Sequence, residues 1–338
     1  MNPESTGTVL VTGGTGFVGS HLVELLLRRG YDVLCLVRDP KRLRWLTGVK
    51  VRLATGDCSD PASLAAAVRN VAVVYHVAGL TKAHRNSDFF EVNQFGTRNL
   101  LEACERHTPG LGKFILVSSL AAAGPAKEGR PLTERDAPHP VSDYGRSKLR
   151  AEEEALRFRE RFPVIILRPS AVYGPRDTDV FELFRWSTKG FLLDVGSGER
   201  FMNWCHVQDL AEALLLAGEA RVPSGSIYFV AEDRVYSSSE FRRALMTTGG
   251  VRARQISVPA WAGYLIGTLS EMAGRVRGRV TIMNRQKVRE AVERSWTCDL
   301  EKAHAELGFH ARVTLEQGLA ATWVWYREHG WIRSVDSI

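Results

Sequence analysis

The sequence has few cysteines and no long apolar run, and each absence excludes a class of protein. The five cysteines among 338 residues, at positions 35, 58, 104, 205 and 298, lack the close spacing of metal ligands or of a disulfide framework. No apolar stretch approaches the ~18 residues of a membrane-spanning helix, and residues 1–8 are too short and polar for a signal peptide. We therefore expect reduced thiols, no metal and a cytoplasmic location.

Positive charge is concentrated in one part of the chain. The formal net charge is +7. Between Arg252 and Arg294 there are nine arginines and lysines against three glutamates, and this surplus supplies most of the total. A local surplus indicates an anionic ligand or surface nearby. We expect no nucleic-acid partner.

Short apolar runs alternate with helical patterns through the first half of the chain, which is typical of a parallel sheet covered by helices. The predicted strands are 8–11, 32–37, 50–54, 71–77, 113–117, 164–167 and 226–230. The predicted helices are 20–29, 88–107, 143–161, 206–220 and, after a loop, part of 177–189. Beyond Pro169 the alternation weakens, and the remainder is predicted to be mostly helical with few strands.

A glycine-rich turn follows the first predicted strand and precedes the first predicted helix. Its glycines are Gly13, Gly16 and Gly19. A tight turn, a close approach of the backbone to a pyrophosphate and a helix N-terminus directed at the anion all need this order. The turn therefore predicts a dinucleotide cofactor bound to an α/β protein.

The two halves of the pattern predict two domains. A Rossmann-type, doubly wound parallel sheet that binds the cofactor would comprise residues 1–168 and 204–231. A smaller, mostly helical domain that binds the substrate would comprise residues 169–203 and 232–338.

The end of the second strand distinguishes NADP from NAD. NAD enzymes usually place an acidic residue about twenty residues beyond the glycines, where it accepts hydrogen bonds from the ribose. This chain has Val37 there, followed by Arg38, and Asp39 comes one place too late. Because an arginine can bind a 2′-phosphate through two hydrogen bonds, we expect NADP(H), with NAD(H) as the alternative. Asp57 is expected at the adenine edge.

A tyrosine and a lysine are spaced to share one face of a predicted helix. Tyr144 and Lys148 lie four positions apart. An ordinary tyrosine, with a pKa of about 10, is a poor acid or base at neutral pH, and a neighbouring ammonium group lowers that pKa. Ser118 and Ser119 end a buried strand, where a hydroxyl faces the ligand crevice. We interpret Ser119 as a hydrogen-bond partner of the reacting oxygen, with Ser118 as a strand-end cap.

Taken together, these motifs resemble the extended short-chain dehydrogenase/reductase family. The matching segments are TGGTGFVG at 12–19, VYHVAG at 74–79, VNQFGT at 92–97, Ser119, Tyr144 with Lys148, LRPSAVYGPRD at 167–177 and HVQDLA at 206–211. The resemblance implies Tyr144 as proton donor or acceptor, Lys148 as the residue that holds the nicotinamide ribose, and Ser119 as the residue that orients the substrate. It also implies that Asn93 supports the lysine through a helix kink and a water molecule.

The motifs and the resemblance define a set of expected contacts. Cofactor contacts are expected from Gly13, Thr15, Gly16, Phe17, Val18, Gly19, Arg38, Asp57, Cys58, Val77, Ala78, Gly79, Ser118, Lys148, Pro169 and Val172. Substrate contacts are expected from Thr81, Ser119, Leu120, Tyr144, Phe181 and Trp204.

Two departures from the family's nucleotide-sugar members bear on the substrate. Those enzymes commonly bind the diphosphate with an arginine four places before the His-Val motif, where this chain has Met202, with Arg200 two places earlier. The Thr-Asp-Glu of dehydratases is replaced by Ser118-Ser119-Leu120. We therefore favour an oxidoreductase that interconverts a ketone and a secondary alcohol on a hydrophobic, steroid- or flavonoid-like substrate. The alternatives are a nucleotide-sugar epimerase or dehydratase and a non-catalytic NADP-binding regulatory protein.

The segment 258–279 combines an apolar helical pattern with arginines at 275, 277 and 279. One interpretation is a packing helix or a dimer contact, and a homodimer is the expected assembly. The other is an amphipathic basic helix that touches an anionic membrane and lets a lipid-like substrate enter.

Overall fold

The computed structural model describes residues 7–127, 129–196, 198–277 and 285–332, with the backbone alone for residues 272–277. Its strands are β1 (Thr8–Thr12), β2 (Val33–Val37), β3 (Arg52–Thr55), β4 (Val71–His76), β5 (Lys113–Val117), β6 (Val164–Pro169), β7 (Ala171–Tyr173), β8 (Phe191–Val195), β9 (Phe201–His206), β10 (Ser226–Val230), β11 (Val235–Ser237), β12 (Arg254–Val258) and β13 (Ser295–Trp296). Its helices are α1 (Phe17–Arg28), α2 (Ala65–Val68), α3 (Asn86–Phe89), α4 (Gly96–His107), α5 (Leu120–Ala123), α6 (Asp143–Arg157), α7 (Phe181–Thr188), α8 (Val207–Glu219), α9 (Ser238–Gly249), α10 (Ala260–Arg277), α11 (Arg285–Ala291), α12 (Glu301–Leu307) and α13 (Leu315–Glu328).

Seven parallel strands form the main sheet in the order β10-β6-β5-β4-β1-β2-β3. The chain builds outward from β1 to β3, returns to β4 and continues to β10, so the direction reverses between β1 and β4. The predicted α/β class with a Rossmann-type parallel sheet is confirmed. In such sheets ligands bind at the carboxyl ends of the strands where the order reverses.

Each face of the main sheet is covered by its own hydrophobic core. Val9 and Val11 of β1 pack with buried side chains of α1 and α8. Leu10, between them, packs with buried side chains of α4 and α6 on the other face. Because successive residues of a strand point to opposite faces, a fully apolar strand requires helices on both sides. This arrangement fixes the strand ends and the turns that follow them.

In the described part of the chain, two smaller sheets lie outside the main one, where we expected few strands. One joins β7, β9, β11 and β13, and the other pairs β8 with β12. The expectation is wrong because these strands form by pairing between segments that are distant in sequence, such as β8 with β12 and β7 with β9, and no regular alternation with helices indicates them. Strand β9 also spans residue 204, an expected domain boundary, so the division into domains stays a proposal.

Three predicted helices are shorter or divided. The predicted helix 88–107 comprises α3, a π-helical segment at Phe90–Phe95, and α4. Helix α6 ends at Arg157 rather than at 161, before a turn that leads to Pro163. Helix α7 begins only at Phe181, because the carboxylate of Asp177 accepts hydrogen bonds from the next turn. Among the described residues no helix is both long and apolar enough to cross a membrane.

Candidate active site

The glycine turn between β1 and α1 leaves no room for side chains at two positions. Gly13 has a positive φ of 71°, and a Cβ there would lie 2.7 Å from the backbone nitrogen of Ala78. A Cβ at Gly19 would overlap the carbonyl oxygen of Gly13. Helix α1 starts after Gly16 without a side-chain cap, so its first N–H groups are available to an anion. The turn therefore fits the pyrophosphate of a dinucleotide.

A cavity of about 1000 Å³ extends from this turn to the two small sheets. Every residue named above as an expected cofactor contact lines it. Of the expected substrate contacts, Thr81, Ser119, Leu120, Tyr144 and Trp204 also line it. The cavity therefore joins residues from both ends of the chain at the point where the strand order reverses.

Phe181 is the expected substrate contact that does not line the cavity. Its ring packs edge-on against Tyr326 and Trp331, with centroids 4.9 and 5.1 Å away. Val180 and Leu183, its neighbours in sequence, line the cavity instead. The expectation is wrong for Phe181 because adjacent residues of a helix face different directions, and the Phe181 ring packs α7 against α13.

Asn93 lies in the π-helical segment, behind the cavity wall rather than on it. Its side-chain nitrogen donates to the carbonyl oxygen of Leu80 at 3.0 Å and to the hydroxyl of Ser147 at 2.9 Å. Its side-chain oxygen accepts from the backbone nitrogen of Leu80 at 2.7 Å. Asn93 thus joins the loop after β4 to α6 beside Lys148. A role through a water molecule stays a prediction.

A continuous chain of hydrogen bonds connects the ends of β1 and β4 to the π-helical segment. The backbone N–H of Ala78 donates to the hydroxyl of Thr12 at 3.2 Å, and that hydroxyl lies 2.7 Å from Nδ1 of His76. Nε2 of His76 lies 2.9 Å from the hydroxyl of Thr97, which itself donates to the carbonyl of Asn93 at 2.6 Å. Because Thr97 already donates, Nε2 must carry the histidine proton. Burial lowers the pKa of His76 to about 3, so the ring is neutral and structural.

Tyr144 and Ser119 meet at the carboxyl end of β5. The hydroxyl of Ser119 lies close enough to that of Tyr144 to lower the pKa of the phenol, and Ser119 accepts a hydrogen bond from the backbone of Ala121 at 3.1 Å as the N-cap of α5. Burial raises the pKa of Tyr144, whereas the Ser119 hydrogen bond and the charge of Lys287 lower it. With the pKa still raised on balance, the phenol keeps its proton at neutral pH.

Lys148 follows Tyr144 by one turn on α6 and is buried. Its ammonium group donates to the carbonyl of Val117 at 2.6 Å. Burial lowers its pKa to about 8, and the nearby carboxylate of Glu152 opposes that shift. Lys148 therefore carries its charge at neutral pH and loses it as the pH rises through about 8.

Below Lys148, a buried ion pair joins α6 to β6. Arg168 donates to the two carboxylate oxygens of Glu152, Nε at 2.9 Å and Nη2 at 2.6 Å. The hydroxyl of Ser118 donates to the same carboxylate, so Ser118 binds a side chain of α6 rather than only capping its strand. Removing one partner of such a buried pair costs about 3–5 kcal/mol, because the other charge is left uncompensated. The pair fixes the helix that carries Tyr144 and Lys148.

Helix α11 brings a second lysine to the site, which sequence reasoning missed. The ammonium of Lys287 lies 5.7 Å from the centroid of the Tyr144 ring and 3.0 Å from the carboxylate of Glu290. Glu290 also accepts from Ser142, the N-cap of α6, at 2.6 Å. No spacing rule links these residues to Tyr144, because they are distant in sequence.

Among the described residues, seven further charged side chains line the cavity without having been predicted there: Arg44, Asp177, Asp179, Asp194, Arg200, Arg242 and Glu293. Arg44 lies with Arg38 at the cofactor end. At the opposite end Arg200 and Arg242 both pair with the buried carboxylate of Asp194. Burial and mutual repulsion lower the pKa of Arg200. Arg200 was noted in the sequence because it lies two places before Met202, where nucleotide-sugar enzymes commonly have an arginine. No sequence motif pointed to Arg242.

The glycine turn, the cavity and the parallel sheet define a dinucleotide-dependent enzyme, and comparison with known proteins gives its family. The model of the NAD dependent epimerase/dehydratase family matches residues 9–231. The chain is 32% identical over 335 residues to the ceramide reductase of Caulobacter vibrioides, with 98% of each protein covered. It is 29% identical to the 4-hydroxy-2-methyl-3-oxo-4-farnesyl-3,4-dihydroquinoline-1-oxide ketoreductase of Stigmatella aurantiaca, covering 92% of this chain and 94% of that protein.

A solved structure extends the comparison to a nucleotide-sugar enzyme. The structure of MoeE5 in complex with UDP-glucose and NAD is 28% identical, with a TM-score of 0.77 and coverage of 96% of this chain and 99% of that one. The chain belongs to the NAD dependent epimerase/dehydratase family. It is an NAD(P)-dependent oxidoreductase of the extended short-chain dehydrogenase/reductase type, which confirms the resemblance found in the sequence.

Proposed function

We propose that the enzyme interconverts a ketone and a secondary alcohol on a hydrophobic, lipid-like substrate, using NADP(H). The observation that carries the proposal is the apolar wall of the cavity beyond Tyr144. The arginine and lysine side chains at this end of the cavity are, in addition, paired with carboxylates. The apolar residues of this wall are Leu120, Val180, Leu183, Leu192, Leu193, Phe201, Met202, Trp204, Phe241, Leu245 and Trp296. Such a wall favours an alkyl chain or a fused ring.

The cations at this end already have carboxylate partners. Arg200 and Arg242 share Asp194, and Lys287 is bonded to Glu290. A diphosphate would have to compete with these carboxylates for the same donors, and burying it without strong partners is costly. This pairing favours a substrate without a diphosphate.

The names of the relatives point the same way. One is a ceramide reductase and another is a ketoreductase that acts on a farnesylated quinoline. Both names describe reduction of a molecule with a long apolar chain. They narrow our sequence-based expectation from steroid- or flavonoid-like compounds to lipid-like ones.

The proposed chemistry uses Tyr144 as the proton donor during ketone reduction. When bound, the cofactor supplies the hydride that reduces the carbonyl carbon. Tyr144 donates its phenolic proton to the carbonyl oxygen as negative charge develops there, and Ser119 hydrogen-bonds the same oxygen. The ammonium of Lys148 would stabilise the resulting phenolate and would hold the nicotinamide ribose of a bound cofactor. In the oxidation direction Tyr144 takes the proton back.

The preference for NADP is part of the proposal. Arg38 and Arg44 are both exposed and both line the cofactor end of the cavity. A 2′-phosphate between two guanidinium groups would gain charge-assisted hydrogen bonds that NAD cannot form. We therefore propose NADP(H) as the preferred cofactor.

The test is oxidation of NADPH against matched substrates. A series of methyl ketones and 3-oxo esters with increasing alkyl chain length is compared with a UDP-4-keto sugar, whose reduction also consumes NADPH. UDP-glucose is assayed separately with NAD⁺ or NADP⁺ for conversion to its 4-epimer, because that reaction leaves the cofactor unchanged overall. We expect kcat/KM to rise with chain length, because each added CH₂ that enters the apolar wall contributes about 0.8 kcal/mol. Turnover of the UDP-sugars with no turnover of any ketone would contradict the proposal. The similarity to MoeE5 with UDP-glucose makes a nucleotide-sugar enzyme the second candidate.

A further inference from the structure

Helix α10 carries large apolar side chains on its outer surface. Trp261, Leu265, Ile266 and Leu269 are 72%, 53%, 43% and 57% exposed. At 100° per residue they occupy one face, since Trp261, Leu265 and Leu269 follow at intervals of four. A surface helix of a soluble protein normally has its apolar stripe facing the core and its polar side chains facing the solvent. We call these four residues the α10 face.

The inner side of α10 is made of small residues. Gly263 and Gly267 are buried. A Cβ at Gly263 would lie 2.5 Å from Cγ1 of Val195 and 3.5 Å from Cγ1 of Val288. Val195 ends β8, whose Leu192 lines the cavity. The helix therefore packs closely behind the cavity wall through its glycines, and the core of the protein does not require the large side chains outside.

Exposed arginines lie on β12 and α11, the elements that precede and follow α10 in the chain. Arg254 on β12 and Arg285 and Arg289 on α11 are exposed, and Arg285 also pairs with Glu271 at 3.3 Å. Along the sequence the segment from Arg252 to Arg294 holds nine basic and three acidic residues. Arg275 and Arg277 of α10 are among these nine basic residues, but the structure describes only their backbone. Arg279 is also among the nine and lies outside the described residues.

We propose that the α10 face is a docking surface for an anionic lipid bilayer. Apolar residues with an exposed tryptophan suit the boundary between headgroups and acyl chains, and arginines beside them attract anionic headgroups. A second copy of the chain fits less well, because a two-fold contact through this face would bring two segments with the same charge surplus together. The helix lies on the bilayer and does not span it. The inference holds whatever the substrate of the enzyme is.

The experiment is co-sedimentation of the full chain with vesicles. Vesicles of phosphatidylglycerol and phosphatidylcholine in equal parts are compared with vesicles of phosphatidylcholine alone. We expect binding to the anionic vesicles that weakens as salt is raised, because screening reduces the attraction of the arginines. The double variant Leu265→Asp/Leu269→Asp should lower the partition coefficient by at least about 100-fold.

A matched control separates the α10 face from general surface effects. Val324 on α13 is 51% exposed and apolar but lies outside the face, so Val324→Asp should bind vesicles as the wild type does. NADPH titration of all three proteins shows that the fold is intact. The proposal is overturned by absence of binding at low salt, or by equal binding of the double variant and the wild type. It is also overturned if ultracentrifugation without lipid shows that the wild type and Val324→Asp are dimers whereas the double variant is a monomer.

Discussion

The two ends of the cavity are built differently. The cofactor end depends on backbone: Gly13 and Gly19 leave space that any side chain would fill, and α1 presents its uncapped N-terminus. The substrate end depends on side chains from β8, β9, α9 and α11, which are distant from one another in sequence. A turn that must approach the cofactor with its backbone requires glycines at fixed spacing, which form a local motif in the sequence. A wall built from side chains of many elements leaves no such motif. The comparison explains why the cofactor can be read from the sequence more easily than the substrate.

Tyr144 lies where the two ends meet, and its removal should have the largest effect. Tyr144→Phe keeps the ring but removes the proton donor, so we expect kcat for ketone reduction to fall by about 10³-fold. The Kd for NADPH, measured by fluorescence titration, should change less than threefold. Tyr31→Phe is the matched control, because Tyr31 bonds Glu219 on the surface. A Tyr144→Phe enzyme with normal kcat would exclude the mechanism.

Gly19→Ala tests the cofactor end alone. The added methyl group would overlap the carbonyl oxygen of Gly13 and force the turn apart. We expect the Kd for NADPH to rise by about 100-fold, measured by the same titration. Gly110→Ala serves as control, because a Cβ at Gly110 would meet no atom within 4 Å. An unchanged Kd in Gly19→Ala would show that the turn does not hold the pyrophosphate.

Arg38→Ala tests the choice between cofactors. Hydrogen bonds to a charged group contribute about 1.5–3 kcal/mol, so the Kd for NADPH should rise roughly 10- to 100-fold. The Kd for NADH should hardly change, since it has no 2′-phosphate. Arg106→Ala, an exposed arginine on α4, is the control. An equal loss for both cofactors would contradict the assignment of Arg38.

The pH dependence tests the charge of Lys148. A lysine with a pKa of about 8 is protonated below that value and neutral above it. We therefore expect kcat/KM for ketone reduction to be constant near neutral pH and to fall about tenfold for each unit above about pH 8. A flat profile up to about pH 10 would show that the charge of Lys148 is not required.

Lys287→Met tests the substrate end and should have the smallest effect. The Lys287 charge lowers the pKa of Tyr144, so its loss should raise that pKa and slow proton transfer severalfold. The Kd for NADPH should stay unchanged, because the contacts described for Lys287 are with Tyr144 and Glu290 and not with the glycine turn. Lys189→Met, at an exposed position after α7, is the control. An effect on NADPH binding instead of kcat would place Lys287 at the other end of the cavity.

The main sheet could be predicted because each strand and helix carries its own periodic pattern. The glycine turn, Tyr144 with Lys148, and Ser119 were found from local spacing, and all line one cavity. The π-helical segment at Phe90–Phe95 gave no signal in the local spacing, and only the family resemblance implied a helix kink at Asn93, since the hydrogen-bond pattern there depends on contacts such as that between Asn93 and Leu80. The small sheets and the packing of Phe181 depend on pairing between distant segments, which one sequence does not reveal.

The most direct test of the central claim is a crystal structure with NADP⁺ and a long-chain secondary alcohol. We predict that the alcohol oxygen lies within hydrogen-bond distance of the hydroxyl groups of Tyr144 and Ser119. The alkyl chain should run along the apolar wall past Leu183 and Leu192. An alcohol oxygen remote from Tyr144, or an alkyl chain that leaves the cavity for solvent, would contradict the account.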